Sequence, residues 1–199
     1  MALKFQYNKT YLQLLNKGLK VRINALPTLV AKESALRLEV KKAREHVEAV
    51  RAKLSETYAR MNATYRLWSE FPSGLVSVKK VDIDIKKIAG VKTPVMRSIS
   101  FDIARYSIHQ APAWLPQGVE ILKQIARLNI EIELSRKIVE VLEYARKKTT
   151  QKVNLYEKVQ IPEHHEAIRK IKRFMEDEDN LSKSSQKILK AKIAATEAA

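Results

Sequence analysis

Cysteine is absent from the 199-residue sequence. That excludes a disulfide framework, a thiolate metal site and a catalytic thiol, and it suits a reducing compartment. There are only 4 glycines and 6 prolines, so the chain has few places to turn and long helices are the economical reading. The glycines Gly18, Gly74, Gly90 and Gly118 stand alone, which rules out a Walker loop and a dinucleotide fingerprint. No apolar run reaches the ~18 residues of a bilayer span. The opening MALKFQYNKTYLQ has no signal-peptide core, and the expectation is a cytoplasmic protein.

Signals for catalysis are equally sparse. His46, His109, His164 and His165 form no HExxH, and neighbours on a helix point about 100° apart. His164 and His165 therefore read as two exposed side chains rather than a metal pair. The run Glu176–Asp179 reads as a solvated face. No serine sits in a nucleophile signature. The basic doublets Lys41–Lys42, Lys79–Lys80, Lys86–Lys87 and Lys147–Lys148 lack the exposed aromatics that stack bases. No catalytic residue, metal ligand or cofactor is assigned.

What is present is charge and periodicity. Charged residues make up 30% of the chain and the net charge is +16. The excess is +8 over residues 1–70, +4 over 71–116 and +4 over 117–199. Both signs are interleaved throughout, as on a solvated helix surface. The charge suits an acidic partner without specifying one.

Asn8 or Thr10 can cap a first helix. Leu12, Leu15, Leu19, Leu26, Leu29, Leu36, Val40, Ala43, Val47, Val50, Leu54, Met61, Tyr65 and Trp68 then follow at steps of three, four or seven. This is a coiled-coil seam, with gaps at Arg22, Glu33 and Tyr58. Pro27 is expected to bend or loosen the helix near Ala25 and Leu26. After "SEFPSG" the period changes to two. Val76, Val78, Val81, Ile83 and Ile85, then Val95, Ile99, Phe101 and Ile103, predict a β-hairpin turning at Gly90, with a bulge at Lys79–Lys80. A short turn or helix with two prolines follows. From Val119 the helical pattern returns at Leu122, Ile125, Ile132, Val139, Leu142, Thr149, Val153, Ile168, Ile171 and Met175.

The sequence thus predicts a mainly α fold. Residues 1–70 and 117–199 supply the long helices of an intramolecular antiparallel coiled coil. Residues 71–116 form a hairpin and short-helix foot at the turn. Trp68, Phe71, Phe101, Tyr106 and Trp114 are assigned to packing of the foot.

One stretch departs from ordinary helix composition. "KKTTQKVNLYEKVQIP" resembles the signature in the C-terminal helix of the D-subunit family, the central-stalk components of vacuolar- and archaeal-type rotary ATPases. The matching positions are Lys147, Lys148, Thr149, Val153, Asn154, Glu157, Ile161 and Pro162. The opening helix is similar more loosely, through its leucines and Ala35–Leu36. The family's basic stretch is replaced here by Val30-Ala31-Lys32-Glu33-Ser34.

The resemblance implies a non-catalytic rotor shaft transmitting torque between a hexamer of catalytic A and B subunits and a membrane rotor ring. It implies as partners a small F subunit and a funnel-shaped ring adaptor of the C/d type, with no nucleic acid and no insertion into the membrane. Trp68, Phe71, Ile83, Ile85, Phe101 and Trp114 are the foot residues expected to meet partners. Thr149, Val153 and Asn154 are expected on the buried side, fixing helix register, and Pro162 either bends the helix or starts a new one. The alternatives are an F-type γ-like axle, for which residues 71–116 are too few to hold the α/β domain, and a basic coiled-coil protein that binds nucleic acid or acts as a scaffold.

Overall fold

A computed structural model describes residues 6–107 and 111–197; His109 and the outermost residues of both ends lie outside them. The chain is mainly helical: α1 (Lys9–Ala63), α2 (Tyr65–Trp68), β1 (Val76–Ile88), β2 (Val91–Ile103), α3 (Leu115–Leu155), a π-helical turn (Tyr156–Gln160) and α4 (Ile161–Glu197). It divides into two compact units, Met1–Ala31 with Thr149–Ala199, and Lys32–Lys148. In each, a stretch of α1 packs antiparallel against the C-terminal helical stretch.

In the first unit Asn8 is the cap: its Oδ1 accepts the Tyr11 N–H at 2.6 Å. Leu15, Leu19, Ala167, Ile168 and Ile171 form the core, with Tyr11, Leu12, Ile161 and Met175 against it. Pro27 does not interrupt α1. Beside it the Thr28 hydroxyl donates to the Ala25 carbonyl at 2.7 Å. Near the start of α1, Tyr7 stacks on Phe174 with ring centroids 4.8 Å apart. From Glu176 to Ala194 every residue of α4 is exposed.

In the second unit, Leu36, Val40 and Leu142 form one cluster and Val50, Leu128 and Ile132 another. Each side chain removed from water stabilises by roughly 1.5–3 kcal/mol. The seam follows the predicted spacing, with two corrections. At the gap it is Thr57 that is buried, bonding the Lys53 carbonyl at 2.8 Å, while Tyr58 is exposed. Tyr65 is also exposed, because α1 stops at Ala63 where Thr64 folds back on the Met61 carbonyl through both N–H and hydroxyl.

The hairpin turns through Ala89 and Gly90, both at positive φ (49° and 78°), the conformation a two-residue turn between twisted strands demands. Lys79 is bulged as expected, and Arg97 makes a second bulge on the facing strand. An isolated hairpin is marginal in water, and this one lies on the helices. Ile88, Ala89 and Val91 at its tip pack on the Leu36, Val40 and Leu142 cluster. No short helix is found among the described residues between the hairpin and α3; the short helix is α2, on the other side.

Candidate functional site

Two places gather polar and aromatic groups into a defined geometry. The first surrounds the π-turn. Pro162 has no N–H to give the carbonyl four residues back. Just before it the bonding steps out by one, and the Ile161 N–H reaches the Tyr156 carbonyl. Such single π-turns carry an extra residue inside an α-helix. Arg22, read from sequence as a seam gap, is half-buried here. Its Nε donates to Gln160 Oε1 at 2.7 Å, its Nη1 donates to the Gly18 carbonyl at 2.9 Å, and its guanidinium lies 6.0 Å from the Tyr156 ring centroid.

His164, expected to be exposed, is buried with its Nδ1 2.7 Å from the Gln160 carbonyl; His165 is exposed. Gly18 lies beside it: a Cβ there would stand 3.5 Å from His164 Nε2, an ordinary van der Waals contact.

The signature residues divide accordingly. Thr149 is buried, Val153 and Ile161 are half-buried, and Lys147, Lys148, Asn154, Glu157 and Pro162 are exposed. Asn154 is therefore not on the buried side. It lies about 100° around the helix from Val153, and one narrow seam cannot hold both. Lys148 Nζ sits 5.6 Å from the Tyr144 ring centroid, so this doublet does have an exposed aromatic beside it.

The second place is where α1, α2 and α3 meet. Trp68, Phe71 and Trp114 form a cluster with centroids 5.4–6.0 Å apart. Phe71 and Tyr106 also cover Leu75, Leu115 and Val119. Phe101 is half-buried in β2 opposite Val78. Pro116 occupies the first turn of α3, where a missing N–H costs nothing. Gly118 lets Trp114 lie flat on that helix, since a Cβ would be 2.7 Å from its Cζ3. Beside the cluster opens a cavity of about 230 Å³ lined by Thr57, Arg60, Trp68, Trp114, Gln117 and Gln124 among others.

On the hairpin, Ile83 and Ile85 are 53% and 67% exposed, whereas Thr93 is fully buried, its hydroxyl bonding the Lys86 carbonyl at 2.9 Å. Lys80 Nζ lies 2.6 Å from Asp82 Oδ1 and Ser98 donates to Asp82 Oδ2 at 2.9 Å. The Lys80 and Ser98 hydrogen bonds hold the Asp82 carboxyl below its usual value, and Asp82 raises Lys80.

Among the described residues no cluster of three or more metal-ligating side chains occurs, and no helix is long and apolar enough to cross a membrane. Arg22, Gln160 and His164 escaped the sequence reading. A lone glycine inside each long helix, Gly18 and Gly118, was the available signal of close packing.

The profile of a family described as the D subunit of ATP synthase matches residues 11–191, a span that includes the π-turn, the hairpin and nearly all of both long helical stretches. The chain is similar to the V-type ATP synthase D subunit of Borreliella burgdorferi, 29% identical over 192 residues covering 96% of this chain and 95% of that protein. It is similar to that of Chlamydia pneumoniae, 27% identical over 198 residues and 97% and 95% of the two chains. For that of Chlamydia caviae the identity is 28% over 173 residues, covering 84% and 83%.

Proposed function

The chain belongs to the ATP synthase D-subunit family, and from that premise we propose how it works as a central-stalk rotor component of a V-type or A-type ATPase. It is a non-catalytic component, and what it supplies is mechanical: helices stiff enough to pass torque. The observation that carries this is a family match running from residue 11 to residue 191, through both helical stretches and the hairpin alike.

In the finer reading the first unit stands within a hexamer of A and B subunits, a small F subunit lies on the hairpin and helices, and a C/d-type adaptor joins the other end to the ring. This places the chain on the cytoplasmic side. Segments 1–70, 71–116 and 117–199 then act as helix, partner-binding insert and helix. The exposed Ile83 and Ile85 supply an apolar surface for the F subunit. Lys147 and Lys148, both exposed, slide past acidic loops without locking, because exposed ion pairs are worth only about 0–1 kcal/mol each.

Affinity purification of the tagged chain from its own cells tests the assignment. It should bring down A, B and a small partner in fixed stoichiometry, insensitive to nuclease. Recovery of polynucleotide alone would favour the basic coiled-coil alternative and refute the rotor. Replacing Ile83 and Ile85 by Asp should release the small partner while A and B remain. Glu at both 147 and 148 should lower coupled ATPase activity, and unchanged coupling would remove those lysines from the torque path.

A further inference from the structure

We propose that the cavity where α1, α2 and α3 meet is a binding site for a carboxylate carried on an apolar body, whether a free small acid or a group on a neighbouring polypeptide. The site stands independently of the rotor assignment.

The apolar wall is a corner, built from the indoles of Trp68 and Trp114, inclined at 68° to each other, with Leu67 and Ile121. The rim is Arg60, Gln117 and Gln124, and no aspartate or glutamate lines it. Among the described residues Arg60 has no carboxylate partner, and its hydrogen bond is a long 3.5 Å contact to the Thr57 hydroxyl. That hydroxyl donates to the Lys53 carbonyl, and Thr64 Oγ1 donates to the Met61 carbonyl and accepts from Trp68 Nε1.

The one charged side chain of the lining is a cation, Arg60, set beside an aromatic wall with two glutamine amides that can donate or accept. Guanidinium forks pair with carboxylates through two parallel N–H···O bonds, and an aliphatic or phenyl body fits an indole wall. About 230 Å³ accommodates a group the size of one side chain rather than a nucleotide.

The chain reports on its own site, because its 2 tryptophans are both in the cavity wall. Intrinsic fluorescence is followed while the full chain is titrated at low salt with 3-phenylpropionate, with 3-phenylpropionamide, and with a short peptide ending in leucine, free or amidated at its C-terminus. A saturable change is expected, with each acid about three- to tenfold tighter than its amide. Arg60→Met should abolish that preference, and Arg60→Lys should retain part of it, keeping the charge but not the fork. A response to the small acid assigns a free-acid source. A response only to the peptide with a free carboxylate assigns a polypeptide source. Equal binding of acids and amides, a preference that survives in Arg60→Met, or no saturable change up to about 50 mM would each overturn the proposal.

Discussion

At the scale of single residues, two glycines in similar helical settings lead to opposite expectations. A Cβ at Gly118 would meet Trp114 Cζ3 at 2.7 Å and Cε3 at 3.2 Å, with Phe71 Cε2 at 3.3 Å. Those rings touch one another and Trp68, so they give way only by repacking the cluster. Overpacking of about 1–3 kcal/mol then exceeds the ~1 kcal/mol that alanine gains over glycine in a helix, so Gly118→Ala should destabilise the chain and alter its near-UV dichroism. At Gly18 the nearest atom is Arg22 Nη1 at 3.1 Å, the tip of a flexible side chain. There the propensity gain wins, and Gly18→Ala should be neutral or stabilising in denaturant midpoint. Shifts of the same sign in both variants would contradict this account.

Asp82 permits a check by pH. Its carboxylate form is favoured in the fold, by Lys80 first and Ser98 second. The associated stability is present above the usual value of 3.8 and is lost as pH falls through the lower folded value. Ser98→Ala should move the Asp82 titration upward in carboxyl NMR.

At the scale of elements, the π-turn decides which faces of the C-terminal helix reach α1. Deleting Val159 removes the one residue that the π-turn absorbs, so residues 155–161 should close as plain α-helix with Ile168 and Ile171 still facing Leu15 and Leu19. Deleting Lys158 as well leaves no extra residue to absorb and should turn everything downstream by about 100°, taking Ile168 and Ile171 away from Leu15 and Leu19. Loss of those two side chains from the core costs about 3–6 kcal/mol, readable in urea unfolding of the double deletion, and a single deletion that cost as much would show that the turn absorbs no extra residue.

The π-turn was illegible in sequence because Tyr156, Gln160 and His164 fall at steps of four, which fit an α-helical pattern. The seam itself was legible, since Leu15, Leu19, Leu36, Val40, Val47 and Val50 repeat over many turns. The hairpin was legible through its change of period and Gly90. Which hairpin face would lie on the helices was not: alternation separates Ile83 and Ile85 from Thr93 but does not say which side is covered, and it is threonine that is buried. His164 alone gave no sign of burial, because what buries it is packing against the facing helix beside Gly18.

For the molecule as a whole, stability and function draw on different stretches of chain. Up to Ala194, the last half-buried position of α4 is Met175. Beyond it the helix runs on to Glu197 with Leu181, Ile188, Leu189 and Ile193 between 49% and 70% exposed. A single helix of this length is marginal in water, so it adds little to folding. A chain ending at Asp179 should unfold at the same urea concentration as the full chain, within about 0.5 kcal/mol. Backbone amides after residue 179 should exchange far faster than those of residues 164–171. If the first unit stands in the hexamer, those exposed side chains find their apolar surroundings there, and the shortened chain should co-purify with less of the A and B subunits while keeping its small partner on the hairpin. Full recovery of A and B by the shortened chain would place the torque-bearing contact elsewhere along the helices. Loss of the small partner together with A and B would mean that the two surfaces are not separable.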